Sequence, residues 1–220
     1  MRYDTILFDL DGTLLDTIDD LGAAVNHALS LRGLPQHTRD EYRMMVGGGI
    51  RNLNWRALPD NLKDDEALLD SCLADFLEYY TAHIDVHTRP YPGMPDLLCD
   101  LFWRGAKLAV TSNKFQAGTE HLIRKFFPDI DFIAILGNRP GAPLKPDPAI
   151  VREVLSLSGS PEDKAVLVGD SATDIRTAAN GGIGSIAVGW GFRPLSELEG
   201  AGAIALSPGD LGRLLLSETP

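Results

Sequence analysis

The segment Ile6–Leu15, ILFDLDGTLL, sets two carboxylates, Asp9 and Asp11, one residue apart behind an apolar run. Like charges at that range raise each other's pKa, so a chain that keeps both must offset the repulsion or let one carry a proton. Further polar groups follow later apolar runs. VTSNK brings Thr111, Ser112, Asn113 and Lys114, LKPDP places Lys145 between Leu144 and Pro146, and VGDSATD carries Asp170 and Asp174. If the apolar runs are parallel strands, all of these groups face one crevice at the strand ends. Asp9, Asp170 and Asp174 can then share a divalent cation, and Lys145 adds a positive charge. The donors are all oxygens, with no His or Cys cluster of ligand spacing, which suits Mg²⁺ with a substrate phosphate in its shell. With phosphate bound, an aspartate aimed at phosphorus can act as nucleophile. Its neighbour two residues on can give a proton to the leaving oxygen and take one from water. Ser112, Asn113 and Lys145 can stabilise the charge on a transferring phosphoryl group.

The elements that must position these residues are legible from periodicity. Thr5–Phe8, Lys107–Val110, Phe132–Leu136, Lys164–Val168 and Ser185–Val188 predict strands, and 203–205 a short one. Helices are expected over Pro95–Trp103, Ala117–Phe127, Pro148–Leu157, Ala172–Asn180 and Leu211–Leu216. Strand alternating with helix predicts an α/β fold, a Rossmann-like parallel sheet with helices on both faces. Between the first strand and Arg89–Asp96 the pattern is helical throughout: 16–31, 40–46, 50–58 and 64–84. The expected organisation is an α/β core of residues 1–15 and 87–220, with an all-helical domain of residues 16–86 inserted after the first strand. Trp55, Phe76, Tyr79 and Tyr80 are expected in the core of that insert.

With 220 residues, 44% of them hydrophobic, the chain can bury a substantial core. A net charge of −11 argues against nucleic acid as partner. No apolar run approaches the roughly 20 residues of a membrane span, and MRYDTILFDLDG, broken by two aspartates, is not a signal peptide. Cys72 and Cys99 lack CxxC spacing and read as reduced thiols of a cytoplasmic protein. Monomer and homodimer are both open.

DLDGTLLD, VTSNK, LKPDP and VGDSATD, in that order, resemble the four motifs of the haloacid dehalogenase superfamily, and the likeness runs from residue 4 to about 193. The helical block is similar in place and size to that family's small cap. MMVGGGIRNLNWRAL, RPYPGMPDLL and VGWGFRPLSEL most resemble phosphoglycolate phosphatase-like members. The resemblance implies Asp9 as nucleophile and metal ligand, and Asp11 as general acid/base with its carbonyl on the metal. It implies Ser112 and Lys145 as phosphoryl-binding, Asp170 as a metal ligand, and Asp174 as a ligand directly or through water. Thr111 and Ser112 stand where the family often has one hydroxyl residue; Ser112 is preferred because it directly precedes Asn113-Lys114. Asp11 itself favours phosphoryl transfer, since dehalogenating members typically lack an aspartate there.

Outside the core motifs, Gly47-Gly48-Gly49 is either a helix break or a loop that meets the substrate, and Arg51 either a solvated side chain or a partner for a substrate carboxylate. Gly48 and Arg51 are therefore candidate substrate-binding residues. The expected activity is Mg²⁺-dependent hydrolysis of a small phosphorylated metabolite, 2-phosphoglycolate foremost. The alternatives are a β-phosphoglucomutase-like phosphotransferase, or a pyrophosphatase, nucleotidase or sugar phosphatase. A non-catalytic binding protein would be expected to lose one of Asp9, Asp11, Lys145 or Asp170, and all four are present.

Overall fold

The structure, a computed structural model, describes residues 1–216. The chain forms two compact units, Met1–Asp16 with Pro90–Pro220, and Thr17–Arg89. These limits differ by one to three residues from those expected from the sequence. The first unit holds β1 (Thr5–Phe8), and the two-residue strand β2 (Leu15–Asp16) ends its first stretch. The second unit contains α1 (Ile18–Ser30), α2 (Arg39–Met45), α3 (Ile50–Ala57) and α4 (Glu66–His83). The chain returns through β3 (Arg89–Pro90) to α5 (Met94–Trp103), β4 (Lys107–Phe115), α6 (Gln116–Phe126) and β5 (Ala134–Asn138). It continues as α7 (Ala149–Ser158), β6 (Ala165–Gly169), α8 (Ala172–Asn180), β7 (Gly184–Val188), β8 (Ala203–Ala205) and α9 (Pro208–Leu216).

In the first unit six strands make one parallel sheet in the order β5-β4-β1-β6-β7-β8. The fold class is the Rossmann-like α/β sheet that the alternating pattern predicts. β1 is central, paired with β4 on one side and β6 on the other, so the strand order reverses beside it. The crevice at such a reversal, at the C-terminal strand ends, is where open α/β sheets bind ligands. Alternation along β1 explains its wholly apolar run. Leu7 shares a core with Ala109, Leu136, Val151, Val154, Leu167 and Ala178, while Ile6 and Phe8 point to the opposite face and are equally buried.

β4 runs five residues past Val110, where its apolar run ends, because it keeps pairing with β5 up to Phe115↔Asn138 across a register shift after Thr111. The bulge is built from polar residues, which carry no alternation to read.

The second unit is a helical cluster around Leu21, Val25, Leu53, Leu69, Phe76 and Tyr80. Gly22 lets the Tyr42 ring lie against α1, since a Cβ there would come 2.7 Å from Cδ2. The Tyr42 hydroxyl donates to Asn26 Oδ1 at 2.6 Å. Thr38 and Glu41 form a reciprocal capping box on α2. Phe76 and Tyr80 are buried, but Trp55 is 39% exposed: its indole donates to Lys63 O and lies under the Lys63 ammonium. It is therefore not a core residue of this unit. Cys72 and Cys99 are both free, the first buried and the second exposed. No described helix is long and apolar enough to cross a membrane.

Candidate active site

Asp9 is the first residue after β1, and its N–H donates to Val168 O at 2.9 Å. The backbone of the neighbouring strand thus fixes where its side chain leaves the sheet. Asp170 stands one strand over, directly after Gly169 and one residue beyond the register partner of Asp9. Asp174 sits in the first turn of α8, and Ser171 donates to its Oδ2 at 2.6 Å. Gly169 makes the approach possible, because a Cβ there would lie 2.3 Å from Asp174 Cγ. One oxygen from each of Asp9, Asp170 and Asp174 lies within 4.8 Å of the others, and all three residues are buried.

Lys145 closes this cluster. Its Nζ donates to Asp9 Oδ1 at 2.8 Å, Asp174 Oδ1 at 2.6 Å and Thr111 O at 2.8 Å, which uses all three ammonium protons. Asn113 holds the lysine's backbone: its Oδ1 accepts from Lys145 N at 2.8 Å and its Nδ2 donates to Lys145 O at 3.1 Å. The Asn113 amide is therefore a clamp on the loop that carries Lys145. Ser112 Oγ accepts from Lys114 N at 3.2 Å, which leaves its hydroxyl proton for another acceptor. Thr111 Oγ1 is buried with no hydrogen-bond partner.

Burial pushes the Asp9 carboxyl up to about 7, with Asp174 adding to the rise and Lys145 opposing it. Burial, together with Asp9 and Asp174, also raises Asp170 well above the usual carboxylate range; the Phe192 N–H opposes this. For Lys145 burial works against the charge, but Asp174 and Asp9 more than offset it, so the ammonium is held more firmly than usual.

The sequence reading passed over two features. The first is Lys114, whose side chain is 1% exposed and whose Nζ lies 3.0 Å from Asp11 Oδ1. VTSNK displayed this lysine, but strand alternation alone could not say that the bulge turns it towards Asp11. The second is the loop after β7. Phe192 N donates to Asp170 Oδ2 at 2.6 Å, and Trp190 Nε1 donates to Thr13 O at 3.1 Å. Asp170 is packed between two glycines: a Cβ on Gly12 would lie 2.2 Å from its Oδ2, and one on Gly191 2.3 Å from its Cβ. The spacing of Gly-Trp-Gly carried no mark of this contact.

Asp9, Asp11, Ser112, Asn113, Lys145, Asp170 and Asp174 all belong to the first unit, whereas Gly48 and Arg51 belong to the second. Gly48 has φ of 75°, and a Cβ there would meet Asn52. Arg51 is an exposed residue of α3 whose guanidinium is engaged by Asp70 and Glu66.

The acidic cluster can hold a metal ion. Its donors are hard oxygens, and the four carboxylates face two ammonium groups and, at Asp170, the Arg193 guanidinium, which leaves a surplus of negative charge when all are ionised. Burial of like charges is costly unless they are met by opposite charge, and a divalent cation offsets this surplus.

Fold and site together define an α/β protein with a buried carboxylate–ammonium centre at the switch point of a parallel sheet. Residues 6–188 match the haloacid dehalogenase-like hydrolase family. The phosphoglycolate phosphatase of Mesorhizobium japonicum is 37% identical over 208 residues, 93% of this chain and 92% of that protein. A predicted phosphoglycolate phosphatase from Lactobacillus delbrueckii subsp. bulgaricus, solved by crystallography, superposes with a TM-score of 0.92 at 34% identity, covering 99% of this chain and all of that one. CbbY from Rhodobacter sphaeroides, solved in complex with phosphate, gives a TM-score of 0.75 at 25% identity over 96% of each chain. The chain belongs to the haloacid dehalogenase-like hydrolase family. It is phosphoglycolate phosphatase-like along nearly its whole length, a hydrolase of phosphoric monoester bonds.

Proposed function

We propose that the protein hydrolyses a small phosphomonoester, 2-phosphoglycolate first among the candidates, with Mg²⁺ and through an aspartyl-phosphate on Asp9. The observation that carries this reading is the buried convergence of Asp9, Asp170 and Asp174 on Lys145 at the C-terminal strand ends. The names of the relatives favour the substrate, and the phosphate bound to CbbY favours the ligand class.

In this reading Asp9, Asp170 and Asp174, with the carbonyl of Asp11, hold the cation, which when bound neutralises charge on the phosphoryl oxygens. Lys145 holds the Asp9 carboxylate in place and offers its charge to the phosphoryl group. Ser112 supplies its free hydroxyl proton to a phosphoryl oxygen. An Asp9 oxygen bonds to phosphorus as the ester P–O bond breaks, and Asp11 gives its proton to the leaving oxygen. Water then attacks phosphorus, Asp11 takes its proton, and the Asp9–phosphorus bond breaks.

The test is phosphate release from a panel of 2-phosphoglycolate, sugar phosphates, nucleotides and pyrophosphate, each with Mg²⁺ and with chelator. Fastest release is expected from 2-phosphoglycolate, lost with chelator and restored by Mg²⁺. Release indifferent to Mg²⁺, or phosphoryl movement between sugar positions without free phosphate, would overturn the reading.

A further inference from the structure

Lys114 takes no part in the steps above, yet it is one of the most deeply buried charged side chains of the first unit. A buried ammonium persists only where its charge is met. Its Nζ donates to Asp11 Oδ1 at 3.0 Å and reaches Oδ2 at 3.4 Å. The lysine's own backbone is held at both ends. Its N–H donates to Ser112 Oγ, and its carbonyl accepts from Thr119 Oγ1 at 3.3 Å. Gly137 fits against that carbonyl because a Cβ there would lie 2.7 Å from it. The register shift between Thr111 and Phe115 puts Ser112 and Lys114 on this short anchored stretch. Asp11, by contrast, lies in the turn after β1, with 15% of its side chain exposed.

We infer that Lys114 is a positioning residue for Asp11: a buried post that keeps the Asp11 carboxylate in the orientation from which it delivers and recovers the proton. The inference rests on the proposed role of Asp11 as proton donor. When phosphorus passes from the ester oxygen to Asp9, the ester oxygen takes the electron pair of the broken bond and the proton of Asp11. When water displaces Asp9 from phosphorus, the water proton returns to Asp11. Lys114 exchanges no proton in either step.

A proton donor matters most for a poor leaving group, and this separates positioning from general structural support. The experiment compares kcat/KM, which reports leaving-group departure, for 2-phosphoglycolate and for p-nitrophenyl phosphate in wild type, K114M, K114R and D11N, each with Mg²⁺. K114M is expected to lose about 100-fold on the alkyl ester and less than about threefold on the aryl ester. K114R is expected to recover most of the alkyl activity, and D11N to show the same split at least as strongly. Equal losses of K114M and K114R on both esters, or no loss in K114M, while D11N keeps the split, would overturn the inference and leave the role of Asp11 intact. A D11N enzyme without the split would overturn both. Thermal melts of the four proteins separate a folding defect from a positioning defect, because a folding defect lowers both esters alike.

Discussion

Asp9 and Asp11 lie one residue apart but face different lysines. Lys145 bonds Asp9 together with Asp174, and Lys114 bonds Asp11. This separates two carboxylates that would otherwise compete for one charge, and it is how the chain tolerates their spacing. Asp170 has no such lysine bond; it is held by the Phe192 N–H and by close packing against Gly12 and Gly191. A methyl group on Gly191 would fall 2.5 Å from both Asp170 Oδ2 and Gly12 O, so the carboxylate and the turn must both shift. Overpacking of this kind costs about 1–3 kcal/mol. Displacing a group that orients a ligand weakens metal binding by roughly 10- to 100-fold. Gly191→Ala is therefore expected to lower Mg²⁺ affinity by that factor, read by titration calorimetry on metal-free protein. Unchanged affinity would mean that the Gly191 loop does not set the Asp170 carboxylate.

At the scale of elements, the helical unit contains one buried carboxylate that its periodicity does not announce. Asp20, 2% exposed on α1, accepts from the N–H groups of His87 and Thr88 and from the Thr88 hydroxyl. It ties the start of this unit to its last residues. Asp20→Ala takes the acceptor from the buried Thr88 N–H and the part-buried His87 N–H, while the Thr88 hydroxyl keeps Ile84 O, at about 1–3 kcal/mol for an unsatisfied group. The melting temperature should fall by at least several degrees, and a melt within one degree of wild type would contradict that role. Periodicity could not show this, because a buried acid on an apolar face reads as a break in the stripe. Helices and strands were legible to within a few residues where apolar spacing was regular, as in α1 and β6. The extension of β4 through Ser112, Asn113 and Lys114 was not, since its pairing to β5 lies in the backbone ladder rather than in the side chains.

Over the whole molecule, residues from positions 9 to 174 meet at one point because β1 lies between β4 and β6 in a parallel sheet. The four motifs could be read as strand ends from their position after apolar runs, so Asp9, Lys145, Asp170 and Asp174 were legible as partners. The assignment of Asn113 to the Lys145 backbone and of Lys114 to Asp11 was not, because both depend on a bulge of a few ångströms. A net charge of −11 repels an anionic substrate at long range, so in the proposed function recognition falls on the local lysines and on the cation that the carboxylates would hold. The most direct measurement is mass spectrometry of the enzyme quenched in acid during turnover of 2-phosphoglycolate with Mg²⁺. A phosphoryl adduct on the peptide carrying Asp9, absent in Asp9→Asn, is the predicted result. Turnover with no adduct at Asp9, or with the adduct on another residue, would contradict it.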